Sequence, residues 1–288
     1  MTAKTSSMRL DGQLGNQLFQ LALALNVARL FKIEILLDDH LPTRKNFKKF
    51  LFEELSVFSY FQYCSRLQLL TNRVQHNYTL RKIYRLEDLF IESEQNNLEL
   101  VLSRPYRSYT GFFQSPSLFP DKDILVKAFS IRNEFICDSL DRLLHLAKST
   151  QCLAVSIRRG DFLQSSHLGV CSEEYYLNAI ASVRTKKEID CIFVFSDDIN
   201  YCRQLLSGLD GWIVYVEGFT PAKSLYLMSQ CNHFVIANST FSWWGAWLSE
   251  SQDKLVVSPA PWNDDEPVLS DFIPSDWITL PKHPIYSR

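Results

Sequence analysis

The feature that most constrains this chain lies beyond residue 150, where short, continuous apolar runs alternate with segments of helical spacing. CLAVSIRR (152–159), CIFVFS (191–196), WIVYVEG (212–218), HFVIANS (233–239) and KLVVSP (254–259) are apolar, rich in β-branched residues and of strand length. Between them, SEEYYLNAIASVRTK (172–186), residues 199–209, residues 222–230 and TFSWWGAWLSE (240–250) read as helices. This alternation builds βαβ units and a parallel sheet. A strand that is apolar at every position, rather than at alternate ones, needs cover on both faces. The pattern predicts a Rossmann-like layer.

The preceding half is less regular. MRLDGQLGNQLFQLALALNVARLF (8–31) predicts a short strand, a glycine turn and a helix; KIEILLDD (32–39) predicts a strand and SYTGFFQS (108–115) a strand end. Residues 41–105 mix basic and aromatic segments without firm periodicity. A length of 288 residues favours two domains over one. The expected division is 1–145 and 146–288. The apolar stretch 18–37 carries Asn26, Arg29, Lys32 and Glu34, which lipid would not accommodate, so it reads as helix plus buried strand. Met1–Ser7 is short and polar rather than a signal peptide. A net charge of −2 with 46% hydrophobic residues argues against a nucleic-acid binder and against a disordered chain. Seven cysteines without a CxxC pair fit a reducing compartment, and neither a disulfide framework nor a zinc site is expected. A cytoplasmic protein is expected.

Four strings could carry chemistry. GQLGNQLFQ (12–20) is a glycine turn feeding a helix; Gly12 and Gly15 let backbone approach a ligand, and Asn16 and Gln17 are polar where the helix is otherwise apolar. The same string also reads as a plain strand-to-helix turn. SIRRGD (156–161) closes a predicted parallel strand, where ligands of open α/β sheets bind. Two adjacent arginines there suit phosphate oxygens, with one of them held by a carboxylate such as Asp161. FSDD (195–198) ends the next strand; Asp197 and Asp198 could hold Mg²⁺ or Mn²⁺, but one as a helix cap and the other as a hydrogen-bond acceptor is the favoured reading. NSTFSWWGAWL (238–248) places Asn238, Ser239 and Thr240 at a helix start able to hold a phosphate, while Trp243, Trp244 and Trp247 read as core. RKNFKKF (44–50) reads as a solvated basic surface, or as attraction to an anionic membrane face.

In this order the four strings resemble the bacterial α-1,2-fucosyltransferases of glycosyltransferase family 11. DGQLGNQLFQLA stands where the family has GGLGNQ(L/M)FQYA. Ser156-Ile157-Arg158-Arg159-Gly160-Asp161-Phe162 stands for HxRRGDY, FSDD matches as written, and Ile236 to Leu248 matches (I/V)ANSTFSWWGAWL. Smaller echoes are GFFQS (111–115), SEEYY (172–176) and SLYLMSQC (224–231). The resemblance implies an α/β, GT-B-like fold of two Rossmann-type domains facing across a cleft, with the acceptor on the N-terminal side. It implies a GDP-β-L-fucose donor bound mainly by the second half, and inverting transfer to the 2-hydroxyl of galactose in an oligosaccharide, O-antigen or lipid-linked glycan. Arg158 and Arg159 would hold the diphosphate, and Ser239, Thr240 and Phe241 the nucleotide. Two departures are Ser156 in place of the family histidine and Asp11 in place of the first glycine.

The mechanism expected from these residues is metal-independent, with no cofactor and GDP-fucose as co-substrate. Arg159, with Arg158 beside it, would stabilise the leaving diphosphate. Asp161, His167 and Asp38 are candidates for the base on the acceptor hydroxyl. At most a peripheral membrane association is expected, and residues 41–105 would shape the acceptor site. Rival readings are a related transferase of another donor or linkage and an inactive glycan- or nucleotide-binding homologue. An NAD-dependent oxidoreductase would need a GxGxxG that the chain lacks after its first strand.

Overall fold

The computed structural model describes residues 5–38, 51–65, 68, 89–92, 98–164, 169–265 and 268–283. The chain forms two compact units, one up to Ser130 and the other from Ile131.

In the first unit, β1 (Thr5–Arg9) runs into α1 (Leu14–Phe31) and then β2 (Glu34–Asp38), followed by β3 (Gln62–Tyr63), β4 (Leu89–Ile91), β5 (Ser108–Thr110) and α2 (Lys122–Ala128). The strands pair in parallel in the order β3-β2-β1-β5-β4. From Leu14 to Leu25 only Asn16 of α1 escapes burial. That is why the sequence there is apolar on every face rather than striped. The helix stops at Lys32, whose φ of 53° is left-handed and whose N–H reaches back to the Ala28 carbonyl. Residues 18–37 are thus the body of a helix, buried through Leu25, and the strand that follows it, and no helix among the described residues is long and apolar enough to cross a membrane.

The second unit begins with α3 (Asp138–Ser149). It continues through β6 (Cys152–Ile157), α4 (Glu173–Arg184), β7 (Cys191–Ser196), α5 (Ile199–Leu205), β8 (Trp212–Tyr215), α6 (Pro221–Ser229), β9 (His233–Val235), α7 (Thr240–Leu248), β10 (Val256–Ala260) and β11 (Ile278–Pro281). A division after residue 145 would cut α3, whose Leu140, Leu144 and Ala147 are buried and which packs on α6 of the same unit. All strands are parallel, ordered β11-β10-β9-β6-β7-β8. Counted within the unit this is the 3-2-1-4-5-6 order of a dinucleotide-binding fold.

One face of this sheet packs Leu153, Val155, Ile157, Ile192, Val194, Val235 and Val257 under Tyr175, Tyr176, Ala179, Ile180 and Val183 of α4. Ser172 caps α4 by accepting from the Tyr175 N–H at 3.1 Å, with Glu173 and Glu174 in the first turn where the helix dipole favours them. Elsewhere in the unit α6 lies so close to α7 that a Cβ at Gly245 would meet Met228 Sδ at 2.5 Å. Trp243 and Trp244 are wholly buried; Trp243 stacks on Trp247 (5.9 Å between centroids) and Phe272 (5.7 Å) and donates from Nε1 to the Phe272 carbonyl at 2.7 Å. Each fully buried ring of this size stabilises by about 2–3 kcal/mol. The tryptophans of the last motif build core.

Candidate active site

The order of strands reverses between β6 and β9, and ligands of open α/β sheets bind outside the carboxyl ends of the strands at that point. Register brings the motifs there. Val155 pairs with Val235 and Ile157 with Ser196, so Arg158, Asn238 and Asp197 leave the sheet side by side. The C-terminal ends of three strands thus gather SIRRGD, FSDD and NSTF within one unit.

The two arginines are held differently. Arg158 is clamped between Asp161 Oδ1 (2.8 Å) and Asp197 Oδ2 (3.0 Å), and its guanidinium lies 5.4 Å from the Phe162 ring centroid. The Arg159 guanidinium carbon sits over Tyr201, 3.7 Å from the ring centroid, with Nε 3.5 Å from Asp198 Oδ2. That distance suits an ion pair without a hydrogen bond. No carboxylate among the described residues takes the terminal nitrogens of Arg159. Tyr201 is itself anchored, donating its hydroxyl to Glu173 Oε1 at 3.1 Å. Burial raises the Tyr201 hydroxyl above its ordinary value, with Glu173 adding to the rise, so it stays a protonated donor.

Both aspartates of FSDD are committed. Asp197 accepts from the Arg159 N–H (3.0 Å) and pairs with Arg158; a Cβ at residue 160 would meet its Oδ2 at 2.6 Å, so the turn needs Gly160. Asp198 caps α5, accepting from the Tyr201 N–H at 3.1 Å. Among the described residues no group of three or more His, Cys, Asp or Glu converges as a metal site.

The NSTF turn is braced from below. Asn238, 2% exposed, donates from Nδ2 to the carbonyls of Gly169 (3.1 Å) and Trp262 (3.0 Å), and its Oδ1 faces Cys171 Sγ at 3.6 Å. Its side chain therefore ties three loops together. Burial raises the Cys171 thiol to about 11, which keeps it protonated and able to donate. Ser239 precedes α7 without a side-chain cap, its N–H bonded to the Ala237 carbonyl (2.8 Å), and Ser242 Oγ closes the turn on Ala237 and Ser239. Thr240 and Phe241, half-buried, open α7. Ser156 is buried near the end of β6, opposite Phe195.

The first unit has its own reversal, between β1 and β5. Gly12 takes φ +76°, and a Cβ there would meet Asn16 Nδ2 at 2.5 Å. Gly15 is buried in the first turn of α1. Gln17 donates from Nε2 to the Gly12 carbonyl (3.2 Å), and Asn16 Oδ1 accepts from Gln114 Nε2 (3.1 Å). Gln20 is wholly buried and spans the reversal: it accepts from the Asp11 N–H at 3.0 Å and donates to the Gly111 carbonyl at 2.9 Å. Asp11, standing where the family has glycine, accepts from the Gly12 N–H (2.7 Å). Asp38 is buried at the end of β2.

His167 and the string RKNFKKF (44–50) lie outside the described residues. Tyr201, Glu173, Gln20 and the Lys282–Asp264 pair (2.6 Å) escaped the reading from sequence. Gln20 alone left a signal, an amide in the middle of an apolar helix.

The sequence profile of glycosyl transferase family 11 matches residues 3–280. The chain is 31% identical to the O-antigen biosynthesis glycosyltransferase WbnK of Escherichia coli over 306 residues, covering 94% of this chain and 99% of that one. It is 30% identical to an alpha-1,2-colitosyltransferase of the same organism over 295 residues, covering 95% and 98%. In three dimensions it is similar to the fucosyltransferase NodZ from Bradyrhizobium, with a TM-score of 0.56, 15% identity and coverage of 85% and 92%. That likeness, with the two parallel-sheet units, gives the chain the GT-B-like class of paired Rossmann-type domains. With the profile spanning nearly its whole length, the chain belongs to glycosyltransferase family 11.

Proposed function

We propose that the chain transfers L-fucose from GDP-β-L-fucose to the 2-hydroxyl of a galactose or related residue in an oligosaccharide or O-antigen glycan, with inversion and without a metal. The observation that carries this reading is Arg159. It is a guanidinium fixed on Tyr201 at the switch point of a Rossmann sheet, with terminal nitrogens that no described carboxylate takes. As the C1–O bond of the donor breaks, the electron pair leaves with the diphosphate, and a fork of N–H donors already in place stabilises that charge. The start of α7 adds backbone dipoles of the right sign. Arg158 and Asp197 keep the loop in shape.

The metal-free reading is supported by an arginine placed to supply the positive charge while Asp197 and Asp198 are engaged with Arg158, Arg159 and the α5 cap. The proton of the acceptor hydroxyl passes to a carboxylate or imidazole. Asp161, exposed and paired with Arg158, and His167 divide that role between them as candidates. The donor-contact set in the second unit is Ser156, Arg158, Arg159, Ser239, Thr240 and Phe241, while Gly12, Gly15, Asn16 and Gln17 form the candidate ligand turn of the first unit. Asp197, Asp198 and Asn238 act by holding these groups.

The test is transfer from GDP-fucose to a panel of galactosides. Arg159→Ala is expected to lower kcat/KM at least about 10²-fold, the scale of losing one preorganised donor to developing negative charge, with the fold intact by circular dichroism. Turnover within about three-fold of wild type removes the assignment. Activity is expected to survive EDTA, and strict Mn²⁺ dependence would overturn the metal-free reading. Asp161→Asn and His167→Gln separate the bases, since only loss of the true base removes the rising limb of the pH–rate profile. The similarity to an alpha-1,2-colitosyltransferase favours a second reading, in which the donor sugar is colitose, fucose without its 3-hydroxyl. Competition between the two donor sugars decides between them.

A further inference from the structure

We propose that Phe112 is the stacking platform for the acceptor sugar. The proposal rests on the glycan-transfer reading above and adds a binding site in the first unit. The turn GFFQ (111–114) leaves β5 at the carboxyl ends of the strands, beside the β1 loop to which Gln20 ties it. Its conformation is forced. Gly111 takes φ +155°, and a Cβ there would meet Glu92 at 2.5 Å. Phe113 takes φ +55°, a left-handed state that costs a residue with a Cβ about 1–2 kcal/mol. Glu92 holds the turn by accepting from the N–H groups of Phe112 (2.6 Å) and Phe113 (3.0 Å). The result is that Phe113 is wholly buried against Phe90, at 6.1 Å between centroids, while Phe112 is turned out and 41% exposed.

Strain of this kind persists only where its surroundings over-determine it, and it concentrates at binding sites. An exposed ring offers a flat apolar face, and the C–H face of a galactopyranose is its complement. The same turn supplies the polar half of a sugar site. Gln114 spends one amide hydrogen on Asn16 Oδ1 (3.1 Å), and its Oε1 takes no partner among the described residues. An aromatic face with a carboxamide two residues on can stack a pyranose and accept from one of its hydroxyls.

The experiment uses the full chain and the variants Phe112→Ala, Phe112→Trp and Gln114→Ala. With lactose as acceptor, Phe112→Ala is expected to raise the acceptor KM about ten-fold, with the KM for GDP-fucose and its acceptor-free hydrolysis unchanged. Phe112→Trp should restore the KM, and Gln114→Ala should raise it less. In parallel, saturation-transfer NMR with methyl β-D-galactopyranoside should give a signal with wild type and lose it in Phe112→Ala. An unchanged lactose KM in Phe112→Ala overturns the proposal, as does a saturation-transfer signal that survives in that variant or is absent from wild type. Failure of the transfer reading looks different: GDP-fucose is then neither hydrolysed nor transferred, and the NMR comparison still decides the role of Phe112.

Discussion

Replacing Lys282 by methionine removes one ammonium and leaves the aliphatic volume in place. Lys282 is wholly buried, with Nζ 2.6 Å from Asp264 Oδ1 and 3.4 Å from the Trp262 carbonyl. Breaking a buried ion pair by removing one partner costs about 3–5 kcal/mol, because the other charge is left behind. The Asp264 side chain is 29% exposed and keeps His283 at 3.4 Å, so water and imidazole recover part of the loss. That puts the expectation at about 3 kcal/mol, a fall in Tm of about 6–12 °C for a chain of this size. The loss also reaches the site, since the Trp262 carbonyl accepts from Asn238 Nδ2, which holds the turn into α7. Burial pushes the Asp264 carboxyl up, but the hydrogen bond and charge of Lys282, with those of His283, outweigh it and hold it below its ordinary value. A depressed carboxyl contributes stability that is present above the ordinary value of 3.8 and lost as pH falls through the folded value. Urea unfolding of Lys282→Met, Asp264→Asn and the double variant, at pH 7 and across the acid range, reads both effects. A loss below about 1 kcal/mol in Lys282→Met, or strict additivity in the double variant, refutes the reasoning.

Other perturbations test the site and the fold separately. Tyr201→Phe keeps the ring under Arg159 and should leave kcat/KM within about three-fold, whereas Tyr201→Ala removes a cation–π contact and should lower it about ten-fold, read by steady-state kinetics. Gly12→Ala forces a Cβ into a left-handed position against Asn16, and thermal melts should show a loss of about 2 kcal/mol. Burial lowers the His233 imidazole below 6.5, with Lys187 adding to the fall, and Nδ1 accepts from the Leu255 N–H at 3.2 Å. A base with a depressed folded value is destabilising to protonate, so stability should decline as pH falls from 6.5 towards that value, and His233→Gln should flatten the decline in a pH series of urea midpoints.

Much of the second unit was legible because its signal is local. Cys152 to Ile157, apolar at five of six positions with only Ser156 polar, can hardly be anything but a strand covered on both faces, and the structure buries all six. The carboxyl end of such a strand is where ligands of open α/β sheets bind, so SIRRGD was legible as a candidate site from sequence alone. What could not be read was what holds each arginine, because that depends on side chains far apart in sequence. Arg158 meets Asp197, 39 residues on, and Arg159 lies on Tyr201, 42 residues on, which is fixed in turn by Glu173. The unit to which residues 131–145 belong escaped for a related reason. Helix α3 carries no mark of its unit, and only its packing on α6 assigns it.

By itself the sequence determined the parallel α/β architecture, the family and the four motif positions, all of which follow from apolar runs, periodicity and residue types adjacent along the chain. Tertiary structure alone decided the strand order. That order puts β6 beside β9 and β1 beside β5, and so creates the two switch points. It also decided that Asn238 braces loops and that Phe112 rather than Phe113 faces out. Those outcomes turn on which polar groups must be satisfied and which rings fill the space between elements, and such demands are set by neighbours in space rather than along the chain.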